Sequence, residues 1–243
     1  MITDFLRGIF SYLDAISHIR RNKLNRYYLF SGLIGLFILL IIYLMWGFLS
    51  PKLSSALLGL LNVDIGWLNS ALEFIIKSGV FIVFFIFYKY LVLICTSPLM
   101  SQLSEDVESN LNEDFISIPF SYSKAVKDIW RSLRLSLRNV FREILYSILI
   151  LLISFFPIVT IGTAPFIFLV QSYFAGFGNM DFYLERYYNT KDTVSFVSEN
   201  KALATGNGVV FMAMLAIPII GVFFAPVLGT VAATIETHKK MHG

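Results

Sequence analysis

Apolar positions recur at three-and-four spacing near the start of the chain. Ile2, Phe5, Leu6, Ile9, Phe10, Leu13 and Ile16 fall on one side, and Asp4, Arg7, Ser11, Asp14 and His18 on the other. This periodicity predicts an amphipathic helix over residues 2–19 whose apolar side meets either the membrane surface or the rest of the protein. Arg20, Arg21, Lys23 and Arg26 follow at once. Residues 27–48 then carry no charge, and at about 1.5 Å per residue they reach across roughly 30 Å of hydrocarbon. Ser50-Pro51 is expected to end this first span. The stretch to Lys77 holds Lys52, Asp64, Glu73 and Lys77, two charges of each sign. A basic flank against a balanced loop orients the N-terminus to the cytoplasm. A second span over 78–98 returns and stops at Ser97-Pro98, with Lys89 inside it. A lysine at that depth snorkels, packs against polar protein, or lies on a solute path.

A polar section comes next, covering 99–143. Ser104, Glu105, Asp106, Val107, Glu108 and Leu111 read as an exposed acidic helix, and residues 112–119 as a loop. From Ser123 a helix begins whose cations, Lys124, Lys127, Arg131, Arg134, Arg138 and Arg142, fall within an arc of roughly 80° at about 100° per residue. Val126, Ile129, Trp130, Leu133, Leu137, Val140, Phe141 and Ile144 occupy a mostly opposed face. The stripe fits an interfacial helix held by anionic lipid heads. It also fits an electropositive funnel at a pore mouth, carried by Lys124, Lys127, Arg131, Arg134 and Arg138.

One pattern occurs twice in the last third. Pro157 precedes Ala164-Pro165, and Pro218 precedes Ala225-Pro226, with the same spacing. Proline removes a backbone bond and crowds the preceding turn, so each apolar run is expected to divide into two short half-helices. Residues 145–156 span only about 18 Å, which favours re-entrant hairpins over 144–178 and 209–236. Gly206-Asn207-Gly208 reads as a turn, and the polar stretch 181–208 as cytoplasmic, with the C-terminal His238, Lys239 and Lys240. Paired, interrupted apolar segments are a pointer to a solute site. Thr160, Gly162, Thr163 and Gly221 sit where second half-helices would begin, and free N–H groups there suit an anion. With Lys89 they form a candidate anion path.

Composition agrees with a membrane protein: 57% of residues are hydrophobic and 14% charged, against about 45–50% and about 25% in soluble domains. The expected fold is an all-α integral membrane protein in a single membrane domain. It has two long transmembrane helices, two Pro-interrupted re-entrant hairpins and an amphipathic N-terminal helix. Cys95 is the single cysteine, so no internal disulfide forms. His18, His238 and His242 lie in the tails, away from the membrane core, and no metal site, cofactor site, phosphate loop or acid–base pair is read. Catalysis and nucleic-acid binding are not expected.

Several motifs in order resemble one family. They are Ser97-Pro98-Leu99-Met100 with Leu103 and Glu105, Lys127-Asp128 at the head of the basic helix, Phe156-Pro157-Ile158-Val159 to Ala164-Pro165, Ile217-Pro218-Ile219-Ile220 to Ala225-Pro226, and Ala232-Ala233-Thr234. Together they are similar to the CysZ family of bacterial sulfate permeases and its wider etoposide-induced-protein superfamily, over about residues 5–240. The resemblance implies an inner-membrane, multi-pass sulfate permease that supplies cysteine synthesis, uses no cofactor and assembles as a homo-oligomer. The family's anion-binding Gly-Leu-Arg-Arg falls here on Lys23, Leu24, Asn25 and Arg26, of which Leu24 and Arg26 match. The expected solute is sulfate or a related oxyanion; transport of another anion, or a membrane-structural or lipid-interacting role without sulfate transport, stays open beside it.

Overall fold

The computed structural model of the chain describes residues 1–61, 66–112, 114–116, 121–153, 157–217 and 220–243. These form helices α1 (Ile2–Arg21), α2 (Arg26–Leu61), α3 (Gly66–Leu111), α4 (Tyr122–Ile153), α5 (Pro157–Leu184), α6 (Thr190–Glu199), α7 (Lys201–Leu215) and α8 (Ile220–His242).

Helix α1 carries two separate stripes. Gly8, Ser11, Tyr12, Ala15 and Ile19 are buried against α7 and α8. Ile2, Leu6, Phe10, Leu13 and Ile16 stay exposed. Most of the predicted apolar face therefore points away from the bundle, and the small Gly8, Ser11 and Ala15 do the internal packing together with Tyr12 and Ile19. Lys23, at φ 57°, turns the chain between α1 and α2.

Both expected spans are longer than a bilayer requires. The 36 residues of α2 cover about 54 Å and the 46 of α3 about 69 Å at the standard rise. Pro51 and Pro98 do not end them, because both lie inside their helices. At Pro98 the reason is visible. Proline cannot bond the carbonyl of Ile94, and the Ser97 hydroxyl donates to that carbonyl instead, at 2.7 Å. Ser104, Glu105, Val107 and Glu108 are buried on the continuation of α3, so the expected exposed acidic helix is an inner strut of the fold. Asp64 and part of the 112–119 loop lie outside the described residues.

The half-helix reading is corrected in the same way. Pro165 lies within α5 and Pro226 within α8, and both helices run through. Pro157 is the first residue of α5, where a missing N–H costs no helical bond. Pro218 lies outside the described residues. The stretch 181–208 is mostly helical: it ends α5, forms α6 and begins α7.

Gly206-Asn207-Gly208 is a packing motif within α7. A Cβ at Gly208 would strike the Ser172 carbonyl of α5, one at Gly176 the Ala204 carbonyl of α7, and one at Gly206 the Phe5 carbonyl of α1. Backbones this close leave no room for a side chain. Asn207 then bonds three helices: Asn179 donates to its Oδ1 at 2.8 Å, its Nδ2 donates to the Gly229 carbonyl at 3.1 Å, and Tyr12 donates to its carbonyl at 2.9 Å. Around this knot α3, α5, α7 and α8 bury the main apolar cluster. Helix α4 rests on α3 and α5 at the periphery.

Candidate functional site

Helix α4 is inverted relative to a helix of a soluble protein. Its buried side consists of Asp128, Ser132, Leu135, Ser136, Asn139 and Glu143, which at about 100° per residue share an arc of roughly 100°. Val126, Trp130, Leu137, Phe141 and Leu145 are exposed, Phe141 at 77%. The cationic stripe forms the border between the two. Lys124, Arg131 and Arg138 lean inward, half-buried, while Lys127, Arg134 and Arg142 are exposed.

The buried stripe lies antiparallel along α3. At one end Lys124 pairs with Glu105. At the other, deep in the predicted second span, Lys89 Nζ lies 2.9 and 2.7 Å from the two oxygens of Glu143, both residues nearly sealed from solvent, and Tyr90 also donates to Glu143. A charge at that depth is tolerated only when paired and hydrogen-bonded, as here.

Between these ends, α5 and the turn that follows it bring in two more acids. Arg131 Nη2 lies 2.8 Å from Asp181 Oδ1 and donates to Thr193, Nη1 donates to the Tyr188 carbonyl, and Nε lies 3.9 Å from Glu185. Ser101 donates to Glu185. One guanidinium thus serves two buried carboxylates, with Asp128 close by. Burial pushes the Glu185 carboxyl up to about 8, helped by the neighbouring charges of Asp181 and Asp128, and burial raises Asp128 to about 6. Asp128, Arg131 and Glu185, with Glu105, Lys124, Lys127 and Arg186, line a cavity of about 290 Å³ between α3, α4 and the end of α5. Further in, Ser132, Ser136, Asn139, Tyr90 and Asp181 border a void of about 10 Å³, room for about one water. A polar seam therefore runs from the charged cavity inward and ends at the Lys89–Glu143 pair.

The sequence-predicted residues fall in separate places. Lys23 and Asn25 are exposed on the α1–α2 turn, Leu24 is buried, and Arg26 is 66% exposed at its side chain while paired to Asp106 at 3.1 Å. Thr160 and Gly162 fall within α5, and their side chains lie outside the described residues. Thr163 is buried. Gly221 packs against the Met214 carbonyl at the α7–α8 connection, a close-packed corner. Among the described side chains of the candidate path, Lys89 meets the seam. Of the funnel, Lys124 and Arg131 are spent in ion pairs, and Arg138 donates to Asn139 at 2.8 Å with its charge over the Phe177 ring. Glu143, Asp128, Asp181 and Glu185 were missed. A signal existed, because Asp128, Ser132, Ser136, Asn139 and Glu143 repeat at helical spacing.

An all-helical bundle that turns apolar side chains outward and buries ion pairs is built like a membrane protein. One described helix, α2, is long and apolar enough to cross a bilayer. The family model for sulfate transporter CysZ/etoposide-induced protein 2.4 matches residues 11–226. The chain belongs to this family, which is a family of transporters rather than enzymes. Comparison with curated proteins gives no match.

Proposed function

We propose that the chain is a permease of the bacterial inner membrane that passes sulfate or a related oxyanion, supplying sulfur assimilation and cysteine synthesis, with both termini cytoplasmic. The observation that carries this reading is the polar seam, in a chain that belongs to a sulfate-transporter family. An anion crossing an apolar layer needs donors that replace its water. The cavity offers Lys127, together with Lys124, Arg131 and Arg186, which an anion must share with their carboxylate partners, and the seam beyond it offers hydroxyl and amide groups. Lys89 and Glu143 close the inner end, so passage requires that pair to part. The Lys23–Arg26 turn is proposed as an outer anion site, where Arg26 supplies a fork of N–H donors and Asn25 an amide. Homo-oligomerisation belongs to the proposal through the family resemblance.

A second reading has its own support. The exposed cations Lys127, Arg134 and Arg142 border an exposed apolar face, the arrangement of a helix that binds anionic lipid at an interface. Liposomes containing only this protein separate the two readings. The permease reading expects saturable uptake of labelled sulfate that unlabelled sulfate competes away. Uptake no faster than in empty liposomes would leave the lipid-binding role.

A further inference from the structure

We propose that Glu108, His238 and His242 form a binding site for one divalent transition-metal cation of the zinc type, at the corner where the ends of α3, α5 and α8 meet. His238 and His242 stand one turn apart on α8, so they project from one face, and their ring centroids are 4.7 Å apart. Glu108 reaches toward them from α3, fully buried, with Oε1 4.0 Å from His238 Nδ1. One donor atom from each of the three lies within 4.8 Å of the others. Zinc holds nitrogen and oxygen at about 2.0–2.2 Å, which sets donors roughly 3–3.5 Å apart in a tetrahedral site. The widest donor pair must therefore close by up to about 1.3–1.8 Å to reach those bond lengths. The exposed His242 ring can supply that movement. Three protein ligands leave a fourth position for water.

The surroundings orient the ligands. Arg186 holds Glu108 Oε2 at 2.8 Å, and Oε1, on the side of the imidazoles, accepts from the Tyr187 hydroxyl and keeps its second lone pair for a cation. The Tyr183 hydroxyl lies 2.9 Å from His238 Nδ1, so it orients the ring when Nε2 binds the cation and must be displaced when Nδ1 does. Partners of this kind fix the rotamers of metal ligands. The Arg186 charge opposes a dication and keeps the site weaker than a purely anionic cage. Two imidazoles and one carboxylate select Zn²⁺, Ni²⁺ or Cu²⁺ over Mg²⁺ and Ca²⁺. Occupancy would clamp the C-terminal end of α8 to α3, and it does not depend on what the seam conducts.

The test is Zn²⁺ titration of the full chain in detergent, stripped with chelator and free of any affinity tag, followed by calorimetry and thermal unfolding. One saturable Zn²⁺ site and a rise in Tm with Zn²⁺ are expected, with no competition from excess Mg²⁺. Because His242 is exposed, His242→Ala leaves the fold intact. It should weaken binding by about tenfold or more and abolish the Tm rise, while His18→Ala keeps both. Absence of saturable binding, or equal affinity in wild type and His242→Ala, overturns the proposal.

Discussion

The guanidinium of Arg26 lies 3.1 Å from the carboxylate of Asp106, which also accepts from the Tyr27 hydroxyl at 2.7 Å. The arginine expected to take a solute anion thus already faces one from its own chain. The two anions compete. Arg26→Ala should weaken sulfate binding more than Arg20→Ala, and Asp106→Asn should strengthen it several-fold by freeing the guanidinium. Calorimetry with sulfate reads all three variants, and equal binding by the two arginine variants would remove Arg26 from the site.

Lys89 and Glu143 should behave as a unit. Removing one partner strands the other in a dry interior, at a cost of about 3–5 kcal/mol, whereas replacing both by apolar groups of similar size is close to neutral. Lys89→Met and Glu143→Leu are therefore each expected to unfold well below wild type in detergent, and the double variant to recover most of the loss. Additive losses in that double-mutant cycle would mean that the pair is not coupled.

How much of this was legible beforehand differs between elements. The amphipathic α1 and the cationic edge of α4 were readable because charge and hydropathy repeat at helical spacing over several turns. The prolines misled for a physical reason. Pro98 loses a bond that Ser97 partly makes good, and Pro165 and Pro226 lie in helices packed on neighbours that hold the backbone in place. The buried stripe was overlooked because Ser132, Ser136 and Asn139 are unremarkable singly. Glu143 also acquires meaning only from Lys89, on another helix.

The cationic stripe should divide by burial. Lys127, Arg134 and Arg142 are exposed and act through a field that salt screens over about 10 Å at 0.1 M. Changing these three to Gln should lower sulfate flux at low ionic strength, with the deficit shrinking as inert salt is added. Arg131→Gln should instead lower stability at any ionic strength, since it leaves Asp181 and Glu185 buried without their guanidinium. A salt-independent flux deficit in the triple variant would count against the funnel.

The acid cluster predicts a pH dependence. Glu185 titrates near 8 in the folded protein and Asp128 near 6, both above the values of about 4.3 and 3.9 for unfolded chains. The folded state therefore binds more protons between those limits, so this cluster's contribution to stability falls as pH rises from about 4 to 8. Fewer negative charges in the cavity at low pH should also tighten sulfate binding. Glu185→Gln should flatten both profiles above pH 6. A Tm that rises steeply from pH 6 to 8 and is unaffected by Glu185→Gln would contradict this assignment.

The approach of α5 to α7 should tolerate no side chain. Gly208→Val forces a Cβ into the Ser172 carbonyl, and overpacking of this kind costs about 1–3 kcal/mol or more. A sharp fall in Tm is expected, with a smaller one for a substitution at exposed Gly47, where a Cβ meets nothing within 4 Å.

The inverted α4 also constrains how the chain is made. On the permease reading, a helix that carries Glu143 on one side is a poor candidate for entering lipid alone, since a charge near the bilayer centre carries a penalty of about 2.5–3.5 kcal/mol in insertion assays. Its outward apolar side draws it in, while its inner side needs a mate already in place. Chain order provides one, because α3, bearing Lys89, leaves the ribosome first. On that reading the Lys89 charge at the inner end of the seam would serve earlier as the docking point that admits α4.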